Sequence, residues 1–269
     1  MEAEQLQIRV FGDAALPTLV YLPGLHGDWT LATSFRAALA GRIRFVEITY
    51  PRSLTWSIED YTNAIESVLL ARGIHHGWLL GESWGSQVAW ALLGRNLSTT
   101  NPSANPAAGK FHVAGLILAG GFVKHPWKWG PGALRWIGNH TSTRLYQLEL
   151  KIYAWYAKFR HRHAPETLAS IQEFVTRRTD LDRQAMRERL QLLGQYDPRP
   201  LARQVRVPVH YLAGSVDPLV PWVLVRWWLR RHCPGYRGGK TFWLADHNVL
   251  ATSPVGAANL VVKWMQTST

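Results

Sequence analysis

The stretch "GWLLGESWGSQVAW", residues 77–90, decides the fold class of this chain. An apolar run leads to a serine with a glycine two residues before it and another two residues after it, and a helix-like segment follows directly. A serine on a sharp turn between a strand and a helix exposes its hydroxyl, and the glycines let the backbone pass without a Cβ clash. The G-x-S-x-G pattern from Gly81 to Gly85 therefore predicts Ser83 as a nucleophile. The alternative is a small residue in a packed turn.

Short apolar and β-branched runs alternate with amphipathic segments over much of the chain. The runs predict strands at residues 18–24, 42–50, 77–83, 112–121, 206–214 and 240–245. The amphipathic segments predict helices at residues 56–73, 84–96 and 220–231, and a closing helix from Pro254. This alternation favours an α/β fold with a mostly parallel central sheet flanked by helices.

Residues 122–198 interrupt the alternation. They read as two long helical segments with no convincing strand between them. The pattern predicts one α/β core made of residues 1–121 and 199–269, with a helical insertion between the two parts.

The composition is that of a globular protein. Of 269 residues, 47% are hydrophobic and 18% are charged, which excludes a disordered or fibrous chain. The net charge of +12 raises the question of a nucleic-acid partner, but no Cys/His finger, RNP-like strand or long basic run is present. We therefore expect no nucleic-acid partner and assign the charge to a solvated surface. The oligomeric state stays open.

The number of cysteines and the N-terminal sequence indicate the cellular compartment in which the protein is expected. Cys233 is the single cysteine, so an intrachain disulfide and a zinc site built on several thiolates are both excluded. The first residues contain no apolar leader, and no run of eighteen apolar residues occurs in the chain. The expectation is a cytoplasmic protein.

A serine hydroxyl needs a base to take its proton and a carboxylate to orient that base. Asp217 follows the predicted strand 206–214, and His247 follows the predicted strand 240–245. The carboxyl ends of parallel strands lie at the edge of the sheet where such folds build their sites. Ser83, Asp217 and His247 are therefore the candidate catalytic residues. Asp246 competes with Asp217 because it adjoins the histidine.

The three motifs "GESWGSQVA", "GSVD" (214–217) and "DHNV" (246–249) together resemble a serine hydrolase of the α/β-hydrolase superfamily, of the esterase and lipase type. The first of them is also similar to the elbow of proline iminopeptidases, and "LPGLHGD" (22–28) resembles lipase-like and thioesterase-like members. The resemblance covers almost the whole chain. It implies an α/β-hydrolase fold in which residues 122–198 form a helical cap over the active site, and a reaction that uses no cofactor and no metal.

An oxyanion hole requires two backbone N–H groups, and one of them belongs to Trp84, the residue after the nucleophile. Two registers compete for the second. The Pro23-Gly24 pair at the end of the first strand makes Leu25 the donor, whereas His26-Gly27 would make Asp28 the donor. Strand position favours Leu25, and an anionic side chain beside an oxyanion would be unfavourable.

The predicted cap is rich in aromatic and basic residues. Trp127, Trp129 and Trp155, together with His26, are candidates for an apolar substrate pocket, and the alternative is that these rings only hold the cap helices together. Between residues 122 and 163, eight cations face the single acid Glu149, which indicates a solvated face or attraction to anionic substrates or lipid. Contact of residues 221–231 with a membrane surface is the weaker interpretation of that segment, since a helix after the acid normally packs on the sheet.

The predicted function is cleavage of small to medium carboxylic esters through an acyl-enzyme, with a small-molecule ester as the partner. A thioester, a lipid monoester, a C–C bond or an N-terminal prolyl amide would need the same machinery. The prolyl option is weaker because "PGLHGD" stands where those enzymes carry a Gly-Gly-Pro-Gly stretch. A hydrolase-like receptor that keeps the three residues for binding is the alternative of another class.

Overall fold

The structure is a computed structural model, which describes residues 5–97, 109–127, 132, 143–160, 162 and 165–267. Seven strands of the described residues form one sheet. They are β1 (Gln7–Phe11), β2 (Thr18–Leu22), β3 (Arg44–Thr49), β4 (His76–Glu82), β5 (His112–Ala119), β6 (Val209–Gly214) and β7 (Tyr236–Phe242).

The helices of the same residues lie between these strands and after the last one. They are α1 (Thr33–Leu39), α2 (Ile58–Ala71), α3 (Gly85–Leu97), α4 (Thr143–Arg160), α5 (Pro165–Thr176), α6 (Asp180–Gln195), α7 (Arg199–Ala202), α8 (Trp222–His232), α9 (Val249–Thr252) and α10 (Pro254–Thr267). A short 3-10 turn, Thr30–Ala32, precedes α1.

The strand order is β1-β3-β2-β4-β5-β6-β7. β1 is antiparallel to β3, and all other neighbouring strands are parallel. The predicted α/β-hydrolase fold, with a mostly parallel sheet flanked by helices, is confirmed. Because β2, β4, β5, β6 and β7 point in one direction, the loops that follow them meet at one edge of the sheet.

Two apolar layers cover the faces of the sheet. On one face, Ile65 of α2, Val88 of α3 and Leu229 of α8 belong to a single buried cluster. On the other face, Phe35 of α1 and Val261 of α10 belong to a second cluster. The inner strands β2, β5 and β6 therefore read as near-continuous apolar runs, as expected when a parallel sheet is buried on both sides.

The core differs from the sequence prediction in several elements, among them the unpredicted short helices α7 and α9. β1 and α1 were not predicted, because β1 is a half-buried edge strand and α1 begins without a side-chain cap. The last strand was predicted at residues 240–245 but spans Tyr236–Phe242. Leu244 has a φ of 56°, in the left-handed region, so the apolar residues after Phe242 form a turn rather than more strand.

Between residues 122 and 198, the described part of the chain is helical and contains no strand. The second predicted helical segment is divided into α5 and α6. Thr179 and Asp182 form a capping box that starts α6 afresh, since the Thr179 side chain accepts from Asp182 N and the Asp182 side chain accepts from Thr179 N. A new N-terminus lets α6 leave the direction of α5.

Helix α8 has two different faces. Val225 and Leu229 are buried against the core, whereas Val223, Leu224 and Trp227 are exposed. No helix in the described ranges combines the length and the apolar character needed to cross a bilayer. Contact of the exposed face of α8 with a membrane surface stays a prediction.

Candidate active site

Ser83 stands on a strained turn between β4 and α3. Its φ of 49° lies in the left-handed region, which a residue with a Cβ adopts only when its surroundings impose it. Its N–H donates to the Ala119 carbonyl at 3.0 Å, and its carbonyl accepts from the Ser86 hydroxyl at 2.6 Å. A Cβ at Gly85 would collide with the Leu22 carbonyl oxygen, so only glycine lets α3 start this close to β2. The turn is thus fixed from both sides.

Ser83, His247 and Asp217 form a continuous chain of hydrogen bonds. Nε2 of His247 lies 2.8 Å from the Ser83 hydroxyl, and Nδ1 lies 2.8 Å from Oδ2 of Asp217. The three side chains come from the loops after β4, β7 and β6, which meet at the same sheet edge. The arrangement can move a proton from the hydroxyl to the imidazole, with the carboxylate fixing the ring's tautomer.

The Asp217 side chain is fully buried and held by the backbone of its own loop. Its Oδ1 accepts from the N–H groups of Leu219 at 2.8 Å and Val220 at 2.9 Å, which leaves Oδ2 for the histidine. Asp246 instead accepts from the N–H of Asn248 at 2.9 Å. Of the two aspartates considered from the sequence, Asp217 is the one hydrogen-bonded to His247.

Opposing influences act on the pKa of His247. Burial lowers this pKa, but the hydrogen bond and charge of Asp217, together with the charges of Glu82 and Asp246, raise it by more. The pKa of His247 therefore stands above its ordinary value. The charged imidazolium that forms when a proton leaves Ser83 is favoured by this environment.

The loop after β2 approaches the nucleophile directly. A Cβ added at Gly24 would lie 3.3 Å from the Ser83 Cβ, and Gly24 O accepts from Gly27 N at 3.0 Å to close a tight turn. Within the described residues, neither the N–H of Leu25 nor that of Trp84 donates a hydrogen bond. Both N–H groups are therefore without a hydrogen-bond acceptor among the described residues.

Asp28, the competing donor position, is bound to Arg178, which lies between α5 and α6. Its carboxylate accepts from the Thr30 N–H at 3.0 Å and from the Thr30 hydroxyl at 2.6 Å, and it forms an ion pair with Arg178. Burial raises the pKa of Asp28, but the charges of His26 and Arg178 and the Thr30 hydrogen bonds lower it by a larger amount. The pKa of Asp28 is therefore below its ordinary value. Arg178 also donates to the His26 carbonyl at 3.0 Å. The side chain of Asp28 therefore ties the loop to the segment between α5 and α6.

Arg189 of α6 is a second residue from the region between β5 and β6 that contacts the same loop, and only 2% of it is exposed. Its guanidinium donates to the carbonyls of Leu25 at 2.6 Å and Pro51 at 2.9 Å, and to the Tyr61 hydroxyl at 3.3 Å. Neither Arg178 nor Arg189 was identified from the sequence. Both lie in a segment predicted to be an amphipathic helix, where an arginine usually lies in solvent. The carbonyls that bind them are more than a hundred residues away in the chain.

The Trp84 ring is completely buried and connects the nucleophile turn to α6. Its indole N–H donates to the carbonyl of Arg189 at 2.8 Å. The ring makes edge-on contacts with Tyr50 and Tyr61, with ring centroids 5.5 and 5.2 Å away. The side chain of the residue after Ser83 thus packs against the core and also binds α6.

Glu82, the residue before Ser83, is a buried acid that the sequence analysis did not single out. Its Oε2 accepts from the Tyr21 hydroxyl at 2.5 Å and lies 3.7 Å from Nε2 of His26. Burial raises the pKa of Glu82, although the Tyr21 hydrogen bond and the charge of His247 oppose this. Burial lowers the pKa of His26 to about 4, so at neutral pH its approach to Glu82 is not an ion pair.

The aromatic residues predicted to line one substrate pocket do not lie together in the structure. Trp127 lines a cavity of about 620 Å³ between the loop after β5 and α8, whose lining does not include the three relay residues. Trp155 is 70% exposed, so it does not form the wall of an enclosed pocket. Trp129 lies outside the described residues. His26 is within reach of the site, because its ring would be 3.3 Å from a Cβ at Gly24.

No cluster of three or more histidine, cysteine or acidic side chains with metal-binding geometry occurs in the described part of the chain. Cys233 is buried, and burial raises the pKa of its thiol to about 11. A buried, protonated thiol is a poor nucleophile.

A strained serine turn and a hydrogen-bonded Ser-His-Asp chain at the edge of a parallel sheet define the class of hydrolases built on α/β sheets. A family model described as the alpha/beta hydrolase family matches residues 19–259. The chain therefore belongs to the alpha/beta hydrolase family.

Solved structures share this fold at low sequence identity. A thermophilic esterase from Thermogutta terrifontis is 16% identical with a TM-score of 0.74, over 98% of this chain and 93% of the other. The esterase RhEst1 from Rhodococcus sp. ECU1013 is 18% identical with a TM-score of 0.75, over 98% and 95%. An enol-lactonase from Burkholderia xenovorans LB400 is 16% identical with a TM-score of 0.72, over 97% and 96%. A search of curated proteins found no match. The family and these neighbours support a hydrolase.

Proposed function

We propose that this chain is a serine hydrolase that cleaves carboxylic esters of short to medium acyl length through an acyl-enzyme. The observation that carries the proposal is the hydrogen-bonded chain from Asp217 through His247 to the Ser83 hydroxyl. A hydroxyl held by an imidazole, with the imidazole held by a buried carboxylate, is the arrangement that makes serine a nucleophile at neutral pH.

In this proposal, the Ser83 oxygen attacks the ester carbonyl while Nε2 of His247 takes the hydroxyl proton. The same proton passes to the leaving alcohol as the tetrahedral intermediate collapses to the acyl-enzyme. Water then attacks the acyl carbonyl, with His247 again accepting and returning the proton, and the carboxylic acid leaves. Asp217 keeps the proton on Nδ1 and stabilises the imidazolium.

The oxyanion of each tetrahedral intermediate is proposed to bind the N–H groups of Leu25 and Trp84. The close approach of Gly24 to Ser83 supports Leu25 over Asp28. Among the described residues, the N–H groups of residues 25 and 84 donate to no other group, which leaves them free for this role. Removing one such donor typically lowers kcat by about 100- to 1000-fold.

The test is a panel of p-nitrophenyl esters of increasing acyl length, with a matched thioester and a lactone, on the wild type and on Ser83→Ala. We expect hydrolysis by the wild type and a loss of at least about 1000-fold in Ser83→Ala, since the remaining rate comes from binding and the oxyanion hole. A fluorophosphonate probe should label Ser83, as located by peptide mass spectrometry.

Ser253→Ala, which removes the hydroxyl of a serine outside the relay, is the control and should keep the wild-type rate and labelling. Full esterase activity in Ser83→Ala, or labelling of another residue, would contradict the proposal. If the wild type binds panel esters without turnover, the receptor alternative gains support. The relative rates on the ester, thioester and lactone identify the bond that the site prefers.

A further inference from the structure

Three successive carbonyl groups of the loop after β2 are all occupied. Gly24 O accepts from Gly27 N at 3.0 Å, Leu25 O accepts from Arg189 Nη1 at 2.6 Å, and His26 O accepts from Arg178 Nη1 at 3.0 Å. Two of the three donors are side chains of the cap region. The conformation of the loop beside Ser83 is therefore determined in part by residues that lie more than 150 positions later in the chain.

These contacts orient the Leu25 N–H. In a trans peptide the N–H points away from the carbonyl of the same plane, so the direction of Gly24 O determines the direction of the Leu25 N–H. The next peptide plane is held by the bond from Arg189 to Leu25 O, so a hydrogen bond holds each of the two planes that meet at the Leu25 Cα. A Cβ at Gly27 would lie 2.6 Å from Arg189 Nη1, so the guanidinium also fills the space over the turn.

Arg189 differs from Arg178 in how its charge is balanced. Arg178 forms an ion pair with Asp28, whereas among the described residues no carboxylate forms an ion pair with Arg189. Its buried charge is met by carbonyl oxygens and by the faces of Tyr50 and Trp84, whose ring centroids lie 5.5 and 6.0 Å away. Burying a charge without an acid is costly. Here that cost is offset by hydrogen bonds to two backbone carbonyls, one of which belongs to the loop beside Ser83.

We propose that Arg189 is a positioning residue for the oxyanion hole, which from the cap holds the Leu25 carbonyl and so aims the Leu25 N–H at the reacting oxygen. This inference rests on the proposed function of Leu25. The same arginine binds the nucleophile turn, because its own carbonyl accepts from the Trp84 indole at 2.8 Å. One cap residue therefore sets the spacing between the two proposed oxyanion donors.

The test compares Arg189→Met with the wild type on the best ester of the panel. A matching trifluoromethyl ketone, which forms an oxyanion with the nucleophile, and the corresponding secondary alcohol, which forms none, are used as inhibitors. We expect kcat/KM to fall by about 10- to 100-fold, because a donor displaced by a fraction of an ångström loses most of its effect. The Ki of the ketone should rise by the same factor, and the Ki of the alcohol should not change.

Arg52→Gln is the matched control. Arg52 Nε donates to Asp182 Oδ1 at 2.6 Å, so this variant also breaks a contact between the core and α6, but it leaves the loop at residues 24–28 untouched. We expect its kcat/KM and both inhibition constants to equal those of the wild type. Arg189→Lys keeps the charge and the aliphatic stem, and we expect an intermediate loss because an ammonium group makes no forked contact.

Unchanged ketone affinity in the Arg189 variants, or an equal loss of ketone and alcohol affinity, would overturn the proposal. If Arg189→Met does not fold, the ratio of ketone to alcohol affinity in Arg189→Lys decides in the same way. Failure of the proposed function looks different, since the wild type would then neither hydrolyse esters nor be labelled at Ser83. If the wild type is active and labelled at Ser83, but the Arg189 variants have the same kcat/KM and ketone Ki as the wild type, only this inference is overturned.

Discussion

The two halves of the candidate site are held by different parts of the molecule. The relay of Ser83, His247 and Asp217 comes from loops of the core, and the carboxylate is anchored by N–H groups of its own loop. The loop at residues 24–28 also belongs to the core, but Arg178 and Arg189 hold it from the segment inserted between β5 and β6. In the proposed function, the proton relay is therefore held by the core alone, whereas the proposed oxyanion donor Leu25 lies in a loop held by the inserted segment.

The largest effect is expected on the core-held half, in Asp217→Asn. The asparagine oxygen can still accept from Leu219 N and Val220 N, so its amide nitrogen faces Nδ1 of His247. A donor there forces the imidazole proton onto Nε2, the tautomer that cannot take a proton from Ser83. We expect kcat to fall by about 10,000-fold.

Steady-state kinetics on the best ester measure this loss, and the melting temperature serves as the control for folding. Because the anchoring hydrogen bonds remain, the melting temperature should stay close to that of the wild type. A variant that retained a tenth of the wild-type kcat would show that Asp217 does not orient the histidine.

On the half that the inserted segment holds, Arg178→Met should cost stability. It leaves the buried carboxylate of Asp28 without its cation, and breaking a buried pair typically costs about 3–5 kcal/mol. Arg189→Met removes no partner from an acid, so its cost in the free energy of unfolding should be smaller. Urea denaturation of both variants measures the difference.

The double variant Arg178→Met with Asp28→Asn is the check on this reason. Removing the charge of Asp28 should recover much of the loss, because a neutral amide can still accept from Thr30. If the double variant is no more stable than Arg178→Met alone, the unpaired carboxylate is not the cause.

A smaller effect is expected from Glu82→Gln. The charge of Glu82 contributes to the raised pKa of His247, and the glutamine oxygen can still accept from the Tyr21 hydroxyl. The histidine must be neutral to act as a base, so kcat/KM rises with pH through its pKa. Removing the negative charge lowers this pKa, and the acid limb of the profile should move to lower pH.

The measurement is the pH dependence of kcat/KM for the wild type and Glu82→Gln. We expect the plateau rate to change by less than about tenfold, since the relay itself is intact. An acid limb that stays in place, or moves to higher pH, would show that the charge of Glu82 does not act on His247.

The sequence was sufficient for the parts of the molecule that depend on short-range patterns. The turn at Ser83 needs glycines at fixed positions between an apolar strand and a helix, so it is visible within a few residues. Asp217 follows the apolar strand β6, so its place could be predicted from that strand. His247 was predicted to follow a strand at residues 240–245, and although β7 ends earlier, at Phe242, the histidine still lies in the loop after it. β1 was missed because a short edge strand carries polar residues, and the start of β7 was missed because "YRGGKTF" contains two glycines.

Long-range contacts of charged residues could not be read from the sequence. Arg189 lies on a helix among other arginines and glutamates, and nothing local distinguishes it from a solvated neighbour. Its partners are the carbonyl oxygens of Leu25 and Pro51 and the hydroxyl of Tyr61. None of them is charged, so the sequence contains no acidic residue that would indicate the contact. Glu82 was overlooked for a similar reason, since a carboxylate in the x position of a G-x-S-x-G motif reads as an exposed loop residue.

The bonds of Arg178 and Arg189 also set a limit on how this scaffold can be recombined. The region that carries both arginines is inserted between β5 and β6, and such insertions are attractive units to exchange between related enzymes when a new specificity is sought. Here the exchanged unit would take with it the donors to Leu25 O and His26 O. A chimera would need arginines at the corresponding positions, or a redesigned loop at residues 24–28, before its specificity could be judged separately from its turnover.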